Sequence, residues 1–402
     1  MILHSSPCGL PSREIFLSAI AFTSSRDTWS SPSCAIIAAS ILLGHADEIR
    51  APEFIIEFLL KTVIRPLFSK SKPPSITATG RKAMSSSDRP RNYNMSDSFD
   101  PALKPWKYLS PFSITVFEWA VENASEETVA ESWNLFIPPL VTLLDDPNTP
   151  VRSRGLSMLS LFLPKMSGKR LKQTGLGDVF EDAVMPTLMF LPGVTPVEES
   201  MELLEPAYNA LFVLADVRWE SEGVAEIQRK SADQQERRKF YDRIMRQGIL
   251  TGFTHAHEHR RIVELLTKEI GYLVEKMGMH AVKHLKNILQ ILSYALTDPF
   301  HSSLPLSLAT IGTMKAVILA CWPRISDPLH RRLILKSIVL CWKNLEDVST
   351  DGSKVKDELK SLARLFTVAC EASTPADTNS KIETEVSAVV GADPHLLELF
   401  NN

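Results

Sequence analysis

The chain has 402 residues, and its 44 lysines and arginines against 47 aspartates and glutamates leave a formal net charge of −3. Hydrophobic residues make up 44% and charged residues 23%, which excludes a largely disordered polymer; the near-neutral balance disfavours a nucleic-acid-binding domain, which is normally basic. Only 16 glycines occur beside 26 prolines, so a succession of proline-bounded helices is favoured over folds dense in tight turns.

Residues 1–68 are predicted to form an N-terminal segment of short apolar helices. The clearest of these, Pro52–Lys61, has a proline in its first turn. Ala35–Leu43 is apolar apart from Ser40, but it is far shorter than the roughly 20 residues of a membrane span. We therefore expect a buried helix there and no membrane association. Met1–Ser5 lacks the basic start of a secretory signal, so no leader is expected.

The composition changes sharply between Ser69 and Asp100, where serine, proline and basic residues dominate. Such a segment cannot bury enough apolar surface to offset the entropy lost on ordering. We predict a disordered insert near residues 69–100 that links the N-terminal segment to the rest of the chain. Ser85–Ser87 and the neighbouring basic pairs leave a role in phosphorylation or nuclear import open.

Helical periodicity resumes near Trp106 and persists. Apolar residues spaced by three and four predict buried helix faces, as in the series Ile262, Leu266, Ile270, Leu273 and Met277. Sustained two-residue alternation is missing, so strands are at most incidental. We predict an all-α fold, a HEAT-like α-solenoid of degenerate helical repeats, with an N-terminal half at 101–250 and a C-terminal half at 251–402.

The segment Ile137–Arg152 has the layout of a HEAT-type repeat, with two prolines near the start of its first helix, a Leu-Leu pair and an Asp-Asp turn. Asp145 or Asp146 is predicted to accept hydrogen bonds from the start of the following helix, which Pro150 opens. Arg152 is predicted to donate to an aspartate. We interpret Asp145, Asp146 and Arg152 as a structural turn.

Three histidines, His255, His257 and His259, lie within five residues. His255 and His259 are spaced to share a helix face, as in a zinc site. The HExxH order is absent, however, and the arginines that follow would repel a cation, so a polar helix start is the preferred interpretation. No nucleotide-binding or nucleophile motif occurs, and we expect no cofactor, no metal and no catalytic residues.

The C-terminal half is predicted to be the partner-binding half. His280 and His284 are spaced by four residues beside lysines, which favours either a cationic face for an acidic partner or an ordinary solvated helix. Trp322 and Arg324 are candidate anchors because tryptophan and arginine dominate interface hot spots, although Trp322 could also complete the core.

The five cysteines form no CxxC pair, and their odd number suits a reducing cytosol or nucleus. The sequence contains Cys8, Cys34, Cys321, Cys341 and Cys370. We expect them to be small buried hydrophobic residues.

Several blocks, in this order, resemble the Tel-two-interacting protein two family, which provides a subunit of the TTT co-chaperone complex. The resemblance covers about residues 106 to 345. It is carried by Trp133–Leu156, Gly248–Leu250 with the histidines that follow, Lys276–Leu285, Asp298–Phe300 and Cys321–Ile325.

This resemblance implies a non-catalytic helical scaffold in the cytoplasm and nucleus. Its partners would be the sister subunits, Tel-two and its first interacting protein. Indirectly it would serve the ninety-kilodalton heat-shock chaperone and phosphatidylinositol-3-kinase-related kinases, with no nucleic acid or membrane. The alternatives are another HEAT-type adaptor, for transport or for a phosphatase, and a metal-dependent hydrolase using His255, His257 and His259.

Overall fold

The computed structural model of the chain describes residues 12–71, 73–77, 79–83, 100–219, 227–298, 303–345, 353–372 and 380–400. They fall into two compact units: unit 1 within residues 1–187 and 202–223, and unit 2 within 188–201 and 224–402. The regular elements in these ranges are helices, together with one isolated antiparallel bridge between Ile76 and Lys82. The all-α prediction is confirmed. The HEAT-like repeat architecture stays a prediction, as do the bounds of the four predicted segments.

Unit 1 contains helices α1 to α10 and most of α11. They are α1 Arg13–Ala21, α2 Pro32–Leu43, α3 Ala46–Ile49, α4 Arg65–Phe68, α5 Pro105–Tyr108, α6 Phe112–Asn123, α7 Glu126–Leu144, α8 Thr149–Phe162, α9 Gly168–Thr174, α10 Leu176–Val184 and α11 Val197–Arg218. A π-helix, Glu53–Ile64, leads directly into α4, and 3-10 turns lie at Ser69–Ser71, Leu163–Lys165 and Met185–Met189. Helix α11 begins in the part of the chain that belongs to unit 2.

Buried aromatic rings run through the core of unit 1. Phe68 stacks on Trp106 with ring centroids 5.0 Å apart, and Phe117, Phe136 and Phe162 follow at 5.7–6.3 Å. These rings come from α4 to α8, so the core is assembled from helices that follow one another in the chain. Local pairs of this kind hold a helical unit together without long-range strand pairing.

A buried ionic cluster joins the loop after α1 to α6 and α8. Arg154 donates to Asp27 at 2.8 Å and to Glu118 at 2.5 Å, and Thr115 bonds both Arg154 and Asp27. Asp27 and Arg154 are both buried. Buried charges persist only when paired and hydrogen-bonded, and this cluster satisfies that condition.

The predicted disorder of the insert is wrong for its first part. Trp106 Nε1 donates to the Ser71 hydroxyl at 3.0 Å, and the backbone N–H of Lys82 donates to Thr174 at 3.0 Å. Ile76 is buried, and Gly80 turns the chain at φ +77° against the ring of Trp133. This short hairpin-like loop compensates for its polar composition with one apolar anchor and backbone hydrogen bonds. Residues 84–99, with Ser85–Ser87, lie outside the described residues.

The prediction that Ala35–Leu43 is buried is also wrong. This stretch forms most of α2, in which only Ala38 and Leu42 are buried and Ile36 is 71% exposed. Helix α2 packs on α1 and α3, which cover one side of it. The helix is apolar on all sides, so its composition does not indicate which side faces the core.

Unit 2 contains helices α12 to α20. They are α12 Ile227–Arg243, α13 Thr251–Ala256, α14 Arg260–Met277, α15 Leu285–Thr297, α16 Leu304–Ile325, α17 Pro328–Asn344, α18 Ser353–Ala372, α19 Ser380–Ala392 and α20 Leu397–Phe400. A π-helix, Ile244–Leu250, separates α12 from α13, and 3-10 turns lie at Gly278–His284 and Pro394–Leu396. The predicted apolar face of α14 is confirmed, because the five residues of the series Ile262, Leu266, Ile270, Leu273 and Met277 are all buried.

Helix α16 lies between α14 and α18, and α15 packs on α17. Thr313 on α16 donates to the Thr267 carbonyl of α14 at 2.9 Å. On the other side of α16, Lys315 Nζ donates to Glu358 at 2.6 Å and to Ser361 at 2.9 Å, both on α18. These contacts fix which side of α16 faces each neighbour.

Candidate partner-binding surface

The Asp-Asp turn joins α7 to α8 in unit 1. Asp146 is buried, and its carboxylate accepts from Lys104 Nζ at 2.9 Å, Lys107 Nζ at 2.6 Å and the backbone N–H of Asn148 at 3.0 Å. Arg152 Nε donates to the Asp146 backbone carbonyl at 3.0 Å. The turn therefore binds its own unit.

The cap of α8 differs from the one predicted. Asn148 caps the helix by accepting from the backbone N–H of Val151, and Asp145 ends α7 as its C-cap residue. Asp146 precedes the cap and acts instead as the counterion of two lysines. Asparagine is as good an N-cap as aspartate, so proximity in sequence could not decide between them.

The three-histidine stretch is not one helix. Helix α13 ends at Ala256 and α14 begins at Arg260, so His255 and His259 share no helix face. His257 packs its ring against Phe253 and Tyr294, with centroids 5.8 and 5.7 Å away. Throughout the described ranges, no three His, Cys, Asp or Glu side chains are arranged to hold a metal ion. Nothing in this geometry supports the hydrolase alternative.

His280 and His284 do not form a shared cationic face either. Both lie in the 3-10 turn Gly278–His284, which has three residues per turn, so a spacing of four brings them to different sides. His280 is exposed, whereas His284 is buried and its Nε2 lies 2.5 Å from Asp242 Oδ1. The proposal that His284 contacts a partner is therefore wrong, because its ring is already packed inside unit 2.

The electrostatics of His284 follow from that burial. Burial lowers the pKa of His284 despite the adjacent carboxylate of Asp242. Burial opposes ionisation of Asp242 as well, but hydrogen bonds and charges from Lys283 and His284 hold the pKa of Asp242 below its usual value. Arg246 also lies 3.2 Å from this carboxylate. The cluster ties the 3-10 turn to α12 and the π-helix.

Trp322 and Arg324 lie on the surface near the C-terminal end of α16. Trp322 is 43% exposed and Arg324 is also exposed, whereas the preceding residue, Cys321, is buried. The backbone carbonyl of Arg324 lies 2.9 Å from His330 Nδ1, which leaves the guanidinium outside this turn contact. Trp322 therefore does not simply complete the core. Its role as an anchor stays a prediction.

The outer face of α16 is apolar along the length of the helix. Thr313 faces α14 and Lys315 faces α18. Gly312, Ala316 and Leu319 lie between these two sides of the helix, and Leu319 is 63% exposed. A Cβ atom added at Gly312 would meet nothing within 4 Å, so the centre of this face is open. We call Leu308, Gly312, Ala316, Leu319 and Trp322, with Val368 on α18, the α16 face.

Among the described helices, α16 is the one whose length and apolar composition would allow it to cross a membrane, and half of its most apolar stretch is buried in unit 2.

The sequence from residue 15 to residue 303 matches the model of the Tti2 family. The chain belongs to the Tti2 family. Members of this family are non-catalytic scaffold proteins of the TTT co-chaperone complex, so membership supports a scaffold role and assembly with partner proteins. No solved structure matches the chain.

The range that matches the Tti2 family covers the described part of unit 1 from residue 15 onward, and in unit 2 it ends just before α16. The Asp-Asp turn, His280 and His284 lie inside this range, whereas Trp322, Arg324 and the whole α16 face lie beyond it. Sequence reasoning found Trp322 but missed Gly312, Leu319 and Val368. The available signal was that α16 is predominantly apolar around its whole circumference, which suggests burial on every side, although its own unit covers only part of it.

Proposed function

We propose that this protein is a non-catalytic scaffold subunit of a TTT-type co-chaperone complex. In this role it would bind the sister subunits, Tel-two and its first interacting protein. The complex would help the ninety-kilodalton heat-shock chaperone mature phosphatidylinositol-3-kinase-related kinases. The protein would act in the cytoplasm and the nucleus.

The observation that carries this proposal is membership of the Tti2 family over most of the chain. Three features of the molecule support it. Several helices are long, the candidate catalytic histidines are separated or packed against rings, and α16 has an exposed apolar face. Large exposed apolar patches commonly mark protein interaction sites. A scaffold uses such surfaces to hold partners by stoichiometric binding.

Affinity purification of the tagged full-length chain from its own cells, with quantitative mass spectrometry, tests the assembly. We expect both sister subunits in near-equal amounts, with kinases of the related family in smaller amounts. Recovery of transport cargo or a phosphatase in place of the sister subunits would favour the other HEAT-type adaptors and contradict the proposal.

Depletion of the protein tests the client step separately. Kinases of the related family should decline over several cell generations while their messenger RNA is unchanged, because newly made kinase would fail to mature. Restoring the wild-type chain should restore their abundance. Unchanged kinase levels after complete depletion would remove the client step from the proposal, even if the sister subunits bind.

A further inference from the structure

The α16 face is a strip about one helix wide with charged borders. Ion-paired Glu264 and Lys268, 2.7 Å apart, lie on α14, which borders one side of the strip. Asp357 and Arg364 are exposed on α18, which borders the other side. The residues of the strip itself carry no charge, and Lys315 at its edge is ion-paired with Glu358. An apolar strip between borders of mixed charge matches an amphipathic helix, whose apolar stripe is flanked by charged residues.

The shape of the strip also fits a helix. Gly312 and Ala316 are four residues apart on one face of α16, and these two small residues leave a shallow depression. A Cβ atom added at Gly312 would meet no atom within 4 Å beyond its own stretch of the helix. Larger side chains are exposed on α16 and on the neighbouring α18, where Leu319 is 63% and Val368 is 60% exposed. Small residues allow two helix backbones to approach closely, and the neighbouring large residues supply the contact area.

The charged borders argue against a flat lipid surface as the occupant. A membrane covering α16 would also have to cover the Glu264–Lys268 ion pair and the exposed carboxylate of Asp357, and burying such charged groups in lipid is unfavourable. A protein helix can place its own basic and acidic residues opposite these borders.

We infer that the α16 face is the groove in which this protein binds one amphipathic helix of a partner subunit. This inference rests on the proposed function, and it names the surface and the kind of segment that the complex uses. The binding helix would carry apolar residues at positions i, i+3 or i+4, and i+7, with charges of both signs at its edges. The contact would bury Leu319, Trp322 and Val368 together.

The test measures the affinity of the purified full-length chain for the purified first Tel-two-interacting protein, by biolayer interferometry. Gly312→Leu fills the depression, and Leu319→Glu places a charge on the strip. Both variants should weaken binding by at least about tenfold, as expected for groups at the centre of an interface. Gly391→Leu is the matched control, because Gly391 also lies in a helix and a Cβ there meets nothing within 4 Å. It should bind like the wild type.

Gly312→Leu separates a blocked groove from a damaged fold. Leucine favours a helix more than glycine does, and the added side chain has open space in the unbound protein. The melting temperature should therefore be equal to or above that of the wild type while the affinity falls. If both the Gly312→Leu and Leu319→Glu proteins bind with wild-type affinity, the inference is overturned. If the wild type itself fails to bind, the proposed function fails first.

The occupant is identified by a photo-crosslinker at the centre of the strip, introduced as Ala316→p-benzoylphenylalanine. In the complex, crosslinks should fall within one partner segment that has the apolar spacing given above. Crosslinks to a second copy of this chain would overturn the inference. So would binding to vesicles of phosphatidylcholine and phosphatidylserine that is lost in Leu319→Glu.

Discussion

Replacement of Asp146 by alanine should destabilise unit 1 by more than the loss of a helix cap. The Asp146 carboxylate is buried and accepts from Lys104, Lys107 and the backbone of Asn148. The side chains of both lysines are only 16% exposed, so the variant leaves two largely buried cations without this counterion. Removing one partner of a buried pair typically costs about 3–5 kcal/mol, against about 0.5–2 kcal/mol for a lost cap. We expect the loss to fall in the higher range.

Two further variants divide this effect into its parts. Asp146→Asn can still accept from the Asn148 amide but carries no charge, so it should recover about 1 kcal/mol of the loss. Asp145→Ala changes the neighbouring residue, which is only half-buried, and should cost less than about 1 kcal/mol. Urea unfolding followed by circular dichroism measures all three against the wild type. Equal, small shifts for Asp146→Ala and Asp145→Ala would refute the counterion role of Asp146.

Three more predictions follow from the described contacts. Arg154→Met removes the cation that pairs with both Asp27 and Glu118, so it should lower the free energy of unfolding by about 3–5 kcal/mol in urea titrations. Arg26→Met changes an exposed side chain and should have little effect. The pKa of His284 is lower in the folded chain, so as the pH falls the unfolded chain takes up a proton at this histidine before the folded chain does, and the free energy of unfolding should fall as the pH drops below about 6.5. His284→Asn should reduce this dependence of stability on pH, measured by thermal melts at several pH values, and His280→Asn should not. In a Cys8→Ser background, exposed Cys34 should react rapidly with a thiol reagent. The other three cysteines should react slowly unless urea is added, because burial raises the pKa of Cys321 to about 11 and the pKa values of Cys341 and Cys370 to about 12.

The helical fold could be predicted because apolar spacing repeats over whole helices. In α14 the five residues at intervals of three and four are all buried, as their spacing predicts. Gly278 ends that helix with φ +54°, a backbone conformation that favours glycine. Long periodic segments with clear ends are the most predictable elements of a chain.

Helices without periodicity show what local pattern cannot provide. Helix α2 and helix α16 are predominantly apolar and have no clear apolar stripe, so their sequences do not say which side is covered. That choice depends on how many neighbouring helices reach them: α2 packs on α1 and α3, and α16 has α14 and α18 on its two sides. Both exposed faces were consequently missed.

The histidine pairs fail as predictions for a related reason. A spacing of four residues implies a shared face only in a continuous α-helix. His255 and His259 lie on either side of a helix end, and His280 and His284 lie in a 3-10 turn. Gly278 marks the end of α14, but the turn that follows is a 3-10 turn that packs on α16, and residue spacing does not show this. The position of a side chain in three dimensions therefore needed the fold as well as the spacing.

The central claim is that this protein is a scaffold subunit that binds its sister subunits directly. Reconstitution from purified full-length proteins, followed by size-exclusion chromatography with light scattering, tests it most directly. The claim predicts one species containing this chain, Tel-two and the first Tel-two-interacting protein in equal numbers, formed without nucleotide or metal. Separate elution of this chain at micromolar concentrations, with the other two subunits still associated, would contradict it.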